Sequence, residues 1–216
     1  MTDPGRQPPP DEHLPVTPSR GGRRRSPRMR TWIEWVAIVA LALLAAFAIK
    51  TWLIQAFYIP SASMVPTLQV GDRILVNKVS YDLHDIHRGD IVVFSRPPAD
   101  SSDPSVNDLV KRVVGLPGDS VSSVDDVLYV NGHRQSEPYL PAGTVSTGNF
   151  SQAPGCQPSA ASDANRSCLV PRGEYWVMGD NRGDSKDSRA FGPIKGSLVV
   201  GRVVVRVWPV TSLHLF

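Results

Sequence analysis

The sequence predicts a mainly β fold, in which an antiparallel sheet is folded on itself or closed into a barrel-like form. One apolar helix precedes the β domain in the sequence. Three observations indicate this fold. The dipeptide Gly-Asp recurs five times after residue 70 and marks turns, because glycine takes the positive φ values that other residues resist. Short runs rich in valine and isoleucine separate these turns. No long amphipathic helix is evident after residue 54.

Six runs between the turns are typical of β-strands. They cover residues 72–81, 90–97, 108–119, 126–135, 174–180 and 197–210. Asn131 and Gly132 lie in the fourth run and form the strongest short signal for a hairpin turn. Residues 141–172 are rich in Ser, Ala, Pro, Gly and Asn, and they predict an irregular insertion in the β domain.

The N-terminal part of the chain divides into a tail and an anchor. Residues 1–30 hold seven arginines and predict a disordered, basic cytoplasmic tail. Residues 31–54 contain an apolar run which, as a helix, is about 35 Å long and can cross a bilayer as one transmembrane helix. The arginines predict that the tail stays in the cytoplasm, so that residues 55–216 form an extracytoplasmic catalytic domain. A cleaved signal peptide is the alternative, but its apolar region is expected to be shorter.

The distribution of charge argues against nucleic-acid binding. The chain has a net charge of +3, from 23 Lys and Arg against 20 Asp and Glu. The basic excess is confined to the tail, because residues 55–216 hold 15 basic and 16 acidic side chains. A nucleic-acid-binding protein concentrates basic charge on its folded module. We therefore expect no nucleic acid among the partners.

Cys156 and Cys168 are the two cysteines of the chain, and both lie in the predicted extracytoplasmic domain. An even number of cysteines in an oxidising compartment favours one disulfide, which would hold the irregular insertion. No histidine is close to either cysteine in the sequence, so a metal site is not expected there.

The segment 58–72, YIPSASMVPTLQVGD, places two serines between prolines just after the apolar run. A serine nucleophile needs a base and an oxyanion site. Neither a G-x-S-x-G nor an S-x-x-K motif is present, which argues against the common hydrolase and β-lactamase patterns. A Ser-His-Asp triad has little support, because no histidine has a recognisable partner. The histidines are His13, His84, His87, His133 and His214. A serine–lysine pair remains.

Lys111, in the apolar run LVKRVVG, is the first candidate for the base. Alternation along a strand places Lys111 and Arg112 on opposite faces. If Lys111 faces inward, desolvation lowers its pKa by several units from about 10.4 and yields a neutral amine. An edge-strand lysine in water is the alternative, and the spacing alone favours it. Lys78, in VNKVSY, is a second candidate by the same reasoning.

Five stretches of the chain, in order, resemble bacterial type I signal peptidases, the membrane-bound serine proteases that remove signal peptides from exported proteins. They are the apolar anchor, PSASMVPTLQVGD (60–72), GDIVVF (89–94), KRVVGLPGD (111–119) and GDNRGDSKDSRAFGPI (179–194). The resemblance extends over nearly all of residues 32–208. The arginine-rich tail and single anchor are similar to Gram-positive, actinobacterial-like members. The resemblance implies a coiled, mostly antiparallel β-sheet for the catalytic domain.

The resemblance also implies a role for each matching residue. Ser63 matches the nucleophile, and Lys111 matches the general base. Ser61 matches the hydroxyl that forms the oxyanion hole together with the backbone N–H of Ser63. Ser185 matches the hydroxyl that orients the lysine amine. The supporting residues of the same segment are Asp180, Asn181, Arg182 and the pair Asp187 and Arg189.

These roles imply an endopeptidase that cleaves preproteins after Ala-x-Ala-like sites through an acyl-enzyme, with no metal or cofactor. Its expected partners are exported preproteins and the lipid bilayer. Ser63 lies six residues after Phe57. Six extended residues reach about 20 Å, so the nucleophile is expected near the outer membrane surface. One alternative is a serine–lysine peptidase dedicated to a pilin or conjugation protein. Another is a non-enzymatic membrane-anchored β module, against which the presence of Ser63, Lys111 and Ser185 together argues.

Overall fold

The computed structural model of the protein describes residues 27–48, 53–100, 106–148, 150–158 and 167–216. The described residues up to Leu44 belong to one compact unit, and those from Ala45 onward belong to a second. Helix α1 (Pro27–Ala48) accounts for the described residues of the first unit, and its last residues, from Ala45, belong to the second. Most of the predicted tail lies outside the described residues, but its last four residues, 27–30, begin α1.

The described side chains of α1 are exposed, among them Trp32, Trp35 and Phe47. Within the described ranges, no helix combines the length and the apolar character that a membrane span requires. The anchor was predicted to end at residue 54. Ile54 instead begins a β-strand, whose residues pair in antiparallel register with residues 73–77.

The second unit is built from short strands, as the sequence predicts. In chain order they are β1 (Ile54–Tyr58), β2 (Arg73–Asn77), β3 (Ile91–Ser95), β4 (Asp108–Gly115), β5 (Ser120–Val124), β6 (Val127–Val130), β7 (His133–Arg134), β8 (Gln157–Pro158), β9 (Ser167–Leu169), β10 (Glu174–Met178), β11 (Ile194–Lys195), β12 (Val199–Trp208) and β13 (His214–Leu215). Two short helices, α2 (Ser80–Leu83) and α3 (Ser188–Phe191), lie between strands.

The strands form two sheets, and every pairing among the described strands is antiparallel. The larger sheet has the order β1-β2-β12-β3-β4-β10-β11, with β13 paired to β12. The smaller sheet has the order β7-β6-β5-β9-β8. The long strand β12 changes register against both neighbours, which is typical of bulges that bend a sheet. The prediction of a mainly β, antiparallel fold is confirmed.

Local predictions succeed where turn chemistry is explicit. Asn131 and Gly132 both have positive φ, and they connect β6 to β7 as the predicted hairpin. The strand predicted at 72–81 ends earlier, at Asn77, whose side-chain oxygen accepts from the N–H of Val79 just before α2. The segment 141–172 is not irregular throughout, because β9 lies within it and pairs with β5.

Cys156 and Cys168 form a disulfide that links the loop before β8 to β9, with their Cα atoms 5.1 Å apart. Cys168 is fully buried in the core beneath the smaller sheet. The rings of Phe150 and Trp176 stack in the same core, with centroids 5.2 Å apart. The disulfide and Phe150 thus attach this segment to apolar packing that also contains Trp176 of β10.

Candidate active site

The segment that carries the candidate nucleophile is a 3-10 turn, Ala62–Met64, which follows β1. Ser61 precedes the turn in extended conformation. Met64 is 1% exposed and packs in a core cluster with Ile59, Leu68 and other residues of the larger sheet. Because the residues on both sides of Ser63 are anchored in this core, the side chain of Ser63 is held at the domain surface.

Lys111 meets Ser63 directly. The Nζ atom of Lys111 lies 2.7 Å from the Oγ atom of Ser63, across 48 positions of sequence. Lys111 is 3% exposed, although it lies on a strand where spacing alone favoured a solvated lysine. Burial lowers the pKa of Lys111 to about 8, against the opposing charges of Asp187, Asp100 and Asp180. A lysine with this pKa is partly neutral near pH 7 and can accept a proton.

Lys78 does not take part in this arrangement. It follows β2, is half-buried, and makes no side-chain hydrogen bond or ion pair within the described part of the chain. Nor does a histidine contribute: His84, His87, His133 and His214 are absent from the residues lining the groove at Ser63, and His13 lies outside the described residues. The geometry therefore places Lys111, and not Lys78, beside the serine.

Ser61 also lies close to the nucleophile position. Its Oγ atom is 3.3 Å from the Oγ atom of Ser63, and either hydroxyl can donate. Ser61 is exposed, whereas Ser63 is half-buried. A hydroxyl in this position can reach an oxygen that develops negative charge beside Ser63.

The loop 179–185 holds the backbone of the nucleophile turn. The N–H of Asn181 donates to the carbonyl of Ser63 at 3.0 Å, and the amide of its side chain donates to the carbonyl of Ala62 at 3.2 Å. Gly179 lies at the start of the loop, where a Cβ atom would overlap the Ser63 carbonyl oxygen and the Ser185 side chain. The close approach of loop and turn therefore requires glycine here.

Asp180 forms a buried ion pair with Arg112, the neighbour of Lys111. The Nε and Nη2 atoms of Arg112 donate to the two carboxylate oxygens at 2.9 and 2.6 Å. The hydroxyl of Thr67 donates to the same carboxylate at 2.5 Å. Two-pronged arginine–carboxylate pairs fix orientation as well as distance. The pair thus joins the strand of the candidate base to the loop that holds Ser63.

Asp187 and Arg189 form a second pair beneath the site. The Nε and Nη2 atoms of Arg189 donate to Asp187 at 2.8 and 2.7 Å. Asp187 is fully buried and also accepts from the N–H of Gly179 at 3.0 Å. Arg182, in the loop, is buried against Glu137. The Oγ atom of Ser185 is buried without a hydrogen-bond partner among the described residues, so its role beside Lys111 stays a prediction.

A groove of about 290 Å³ extends from Ser63 and Lys111. One wall comes from the end of β1 and the turn, and the other from β4 between Asp108 and Lys111. Residues 108–111 pair with β3 alone, because β10 pairs with β4 only from Arg112 onward. That edge of β4 is open to the groove among the described residues, and an added strand could pair with it.

The described residues contain no group of three His, Cys, Asp or Glu side chains that could hold a metal ion. Beside Ser63 the described geometry presents a serine hydroxyl, a buried lysine amine and nearby hydrogen-bond donors.

Comparison with known proteins identifies the family. A family model described as "Signal peptidase, peptidase S26" matches residues 32–208. The chain belongs to this family. It is 41% identical to signal peptidase IB of Staphylococcus aureus (strain COL) over 184 residues, which cover 82% of this chain and 90% of that protein. It is 36% identical to a probable signal peptidase I-2 of Synechocystis over 193 residues, covering 89% and 81%.

A solved structure, a signal peptidase I from Enterococcus faecalis V583, is 34% identical and has a TM-score of 0.40, covering 55% of this chain and 97% of that one. Family membership makes the chain a serine peptidase that removes signal peptides. These relatives do not favour a peptidase dedicated to a pilin or conjugation protein.

The sequence did not indicate two residues of this chain that the structure places at the candidate active site, Arg112 and Thr67. Arg112 was assigned to the face opposite Lys111 and given no role, and the structure shows that it is 7% exposed. The signal was an arginine inside an apolar strand, which requires a buried acidic partner, and Asp180 provides it. Thr67, also missed, lies four residues after Ser63 and gave no signal beyond its hydroxyl.

Proposed function

We propose that Ser63 and Lys111 form the catalytic pair with which this chain removes signal peptides from exported preproteins. The observation that carries the proposal is the 2.7 Å contact between the buried amine of Lys111 and the hydroxyl of Ser63. A buried, partly neutral amine at this distance satisfies the geometric and the pKa requirement of a general base together.

The reaction proceeds through an acyl-enzyme. Lys111 takes the proton of Ser63 as its Oγ attacks the carbonyl carbon of the scissile peptide bond. The tetrahedral intermediate collapses, the C–N bond breaks, and Lys111 gives the proton to the leaving amine. Water then attacks the ester as Lys111 takes a proton from it, the bond between the acyl carbon and Oγ breaks, and Lys111 returns the proton to Ser63. The signal peptide leaves with a new C-terminal carboxyl group. The released amine is the N-terminus of the mature protein.

The oxyanion of each tetrahedral intermediate is stabilised by the Ser61 hydroxyl and the backbone N–H of Ser63. The 3.3 Å separation of the two hydroxyls supports this assignment, because it places the Ser61 donor beside the reacting atoms. Ser185 is proposed to orient the amine of Lys111 once substrate is bound. Its buried, unpartnered hydroxyl is available for such a contact among the described groups.

The substrate lies in the groove as an extended strand. The open edge of residues 108–111 provides backbone groups that can pair with it. Small side chains, such as the alanines of Ala-x-Ala, allow a close approach of the substrate backbone to Ser63. The apolar side chains of Ile59, Met64 and Leu109 line the groove and suit such residues.

The cellular location proposed here is the cell membrane, with the N-terminus in the cytoplasm and the catalytic domain outside it. The arginine cluster before residue 31 and the apolar sequence that follows support this orientation. It places Ser63 where the cleavage site of a preprotein emerges from the bilayer.

Cleavage of a preprotein with an Ala-x-Ala site tests the proposed function. The detergent-solubilised full chain should release the mature protein with an N-terminus directly after the second alanine, and Ser63→Ala should release none. Ser136→Ala, which changes an exposed serine that makes no side-chain hydrogen bond among the described residues, is the matched control and should remain active. Cleavage by the Ser63→Ala variant at the wild-type rate would reject the assignment of the nucleophile.

A further inference from the structure

Glu137 and Tyr139, in the loop after β7, contact the two buried arginines of the site. The carboxylate of Glu137 accepts from both terminal nitrogens of Arg182, at 3.1 Å for the Nη1–Oε2 pair. Arg182 is 3% exposed, and its Nε atom donates to the carbonyl of Gly179 at 3.0 Å. Glu137 therefore fixes the orientation of an arginine that itself holds the start of the loop carrying Asn181.

Tyr139 connects Glu137 to the other arginine. Its hydroxyl donates to the Oε1 atom of Glu137 at 2.9 Å. The guanidinium of Arg112 lies over the Tyr139 ring, 3.9 Å from the ring centroid. A cation over an aromatic face is attracted to it, and the attraction is larger where water is excluded. The hydroxyl of Tyr139 thus holds the Glu137 carboxylate, and its ring holds the Arg112 guanidinium.

Both arginines are joined to the reacting groups by short paths: Arg182 follows Asn181, which binds the carbonyl of Ser63, and Arg112 follows Lys111. Arg112 is the neighbour of Lys111 in β4 and binds Asp180 through two hydrogen bonds. Asp180 is followed by Asn181, whose N–H donates to the carbonyl of Ser63. A displacement of either guanidinium therefore reaches the 2.7 Å contact between Lys111 and Ser63 through covalent bonds and hydrogen bonds alone.

We propose that Glu137 and Tyr139 are positioning residues, which set the distance between Ser63 and Lys111 by holding Arg182 and Arg112. This inference rests on the proposed function of the serine–lysine pair. Buried ion pairs contribute little net stability compared with apolar packing, but they can specify one geometry among several. The effect of Glu137 is therefore expected mainly in the rate of the chemical step.

The test compares kcat and KM of full-length variants for a preprotein with an Ala-x-Ala site. Values of kcat are normalised to the concentration of folded enzyme, and cooperative thermal unfolding shows which fraction of each variant is folded. Glu137→Gln should lower kcat about 10- to 100-fold with little change in KM, because a displacement of about 1 Å suffices for such a loss. Tyr139→Phe, which deletes one hydroxyl, should lower kcat about three- to tenfold. Tyr139→Leu, which also removes the ring from Arg112, should lower it further.

Glu174→Gln is the matched control, since Glu174 is a half-buried glutamate of the same domain without a side-chain hydrogen bond or ion pair among the described residues. A purely structural role would lower the melting temperature of Glu137→Gln and leave kcat per folded enzyme within about twofold of this control. That result, or a loss confined to KM, would overturn the inference. If Glu137→Gln does not fold, the kcat of Tyr139→Phe decides by the same criterion.

The outcome for Ser63→Ala separates this inference from the proposed function. If Ser63→Ala is inactive while Glu137→Gln and both Tyr139 variants match Glu174→Gln, the positioning role fails alone. If Ser63→Ala retains activity, the proposed catalytic pair is rejected, and the positioning role that rests on it is rejected as well.

Discussion

Replacement of Lys111 by arginine is expected to reduce kcat/KM for a preprotein by about 10³-fold or more, as much as replacement by alanine. Arginine keeps a positive charge on a side chain of similar length, but its guanidinium stays protonated throughout the pH range of the assay. It therefore cannot take the proton of Ser63. The measurement is preprotein cleavage at several pH values, with circular dichroism to show that the variant is folded.

Lys78→Arg is the matched control for this substitution. Lys78 is half-buried and makes no side-chain contact with Ser63 in the described part of the structure, so the variant should keep most of the wild-type activity. An active Lys111→Arg enzyme beside an inactive Lys78→Arg enzyme would mean that the base is assigned to the wrong lysine.

Gly179→Ala is expected to reduce kcat/KM about 10²-fold or more, because it displaces the nucleophile turn while leaving Ser63 and Lys111 chemically unchanged. A Cβ atom at this position would overlap the carbonyl oxygen of Ser63 and both side-chain atoms of Ser185. The carbonyl oxygen of Ser63 is a backbone atom and cannot rotate away as a side chain can. The nucleophile turn and the loop must therefore move apart. Overpacking of this kind also costs about 1–3 kcal/mol of stability. Cleavage kinetics together with the unfolding midpoint measure the two effects separately.

Gly183→Ala provides the control, because Gly183 lies in the same loop, is exposed, and has no heavy atom within 4 Å of the position of an added Cβ. Its activity should be close to that of the wild type. Equal activity of the two alanine variants would show that the close approach at Gly179 does not govern the reaction.

The fold class was predictable because its signals are local. Gly-Asp turns, the Asn131-Gly132 hairpin and runs of β-branched residues each act within a few residues, and β2, β3, β4, β6, β10 and β12 formed close to the predicted positions. β5 was missed, since its sequence SVSSV has few apolar residues and it forms by pairing with β6 and β9. Such pairing depends on partners distant in sequence, which local patterns do not contain.

The candidate site was predictable only in part. The spacing of residues within β4 did not determine whether the side chain of Lys111 is buried or exposed to solvent. The resemblance to a known family indicated that it is the buried base. The partner of Arg112 could not be read from β4, because Asp180 lies 68 positions away and reaches it through the folding of the sheet. Glu137 and Tyr139 gave no sequence signal either, since their contacts are made by a loop whose path depends on both sheets.

The pH dependence of kcat/KM of the wild-type enzyme tests most directly whether a neutral Lys111 activates Ser63. Burial lowers the pKa of Lys111 to about 8, so the neutral fraction of its amine grows as the pH rises through that value. We expect kcat/KM to rise about tenfold from pH 6 to pH 7 and to level off above about pH 9, where the amine is neutral. A value of kcat/KM that is the same at pH 6 and pH 8 would contradict the account, because the base would then be a group that is already deprotonated at pH 6.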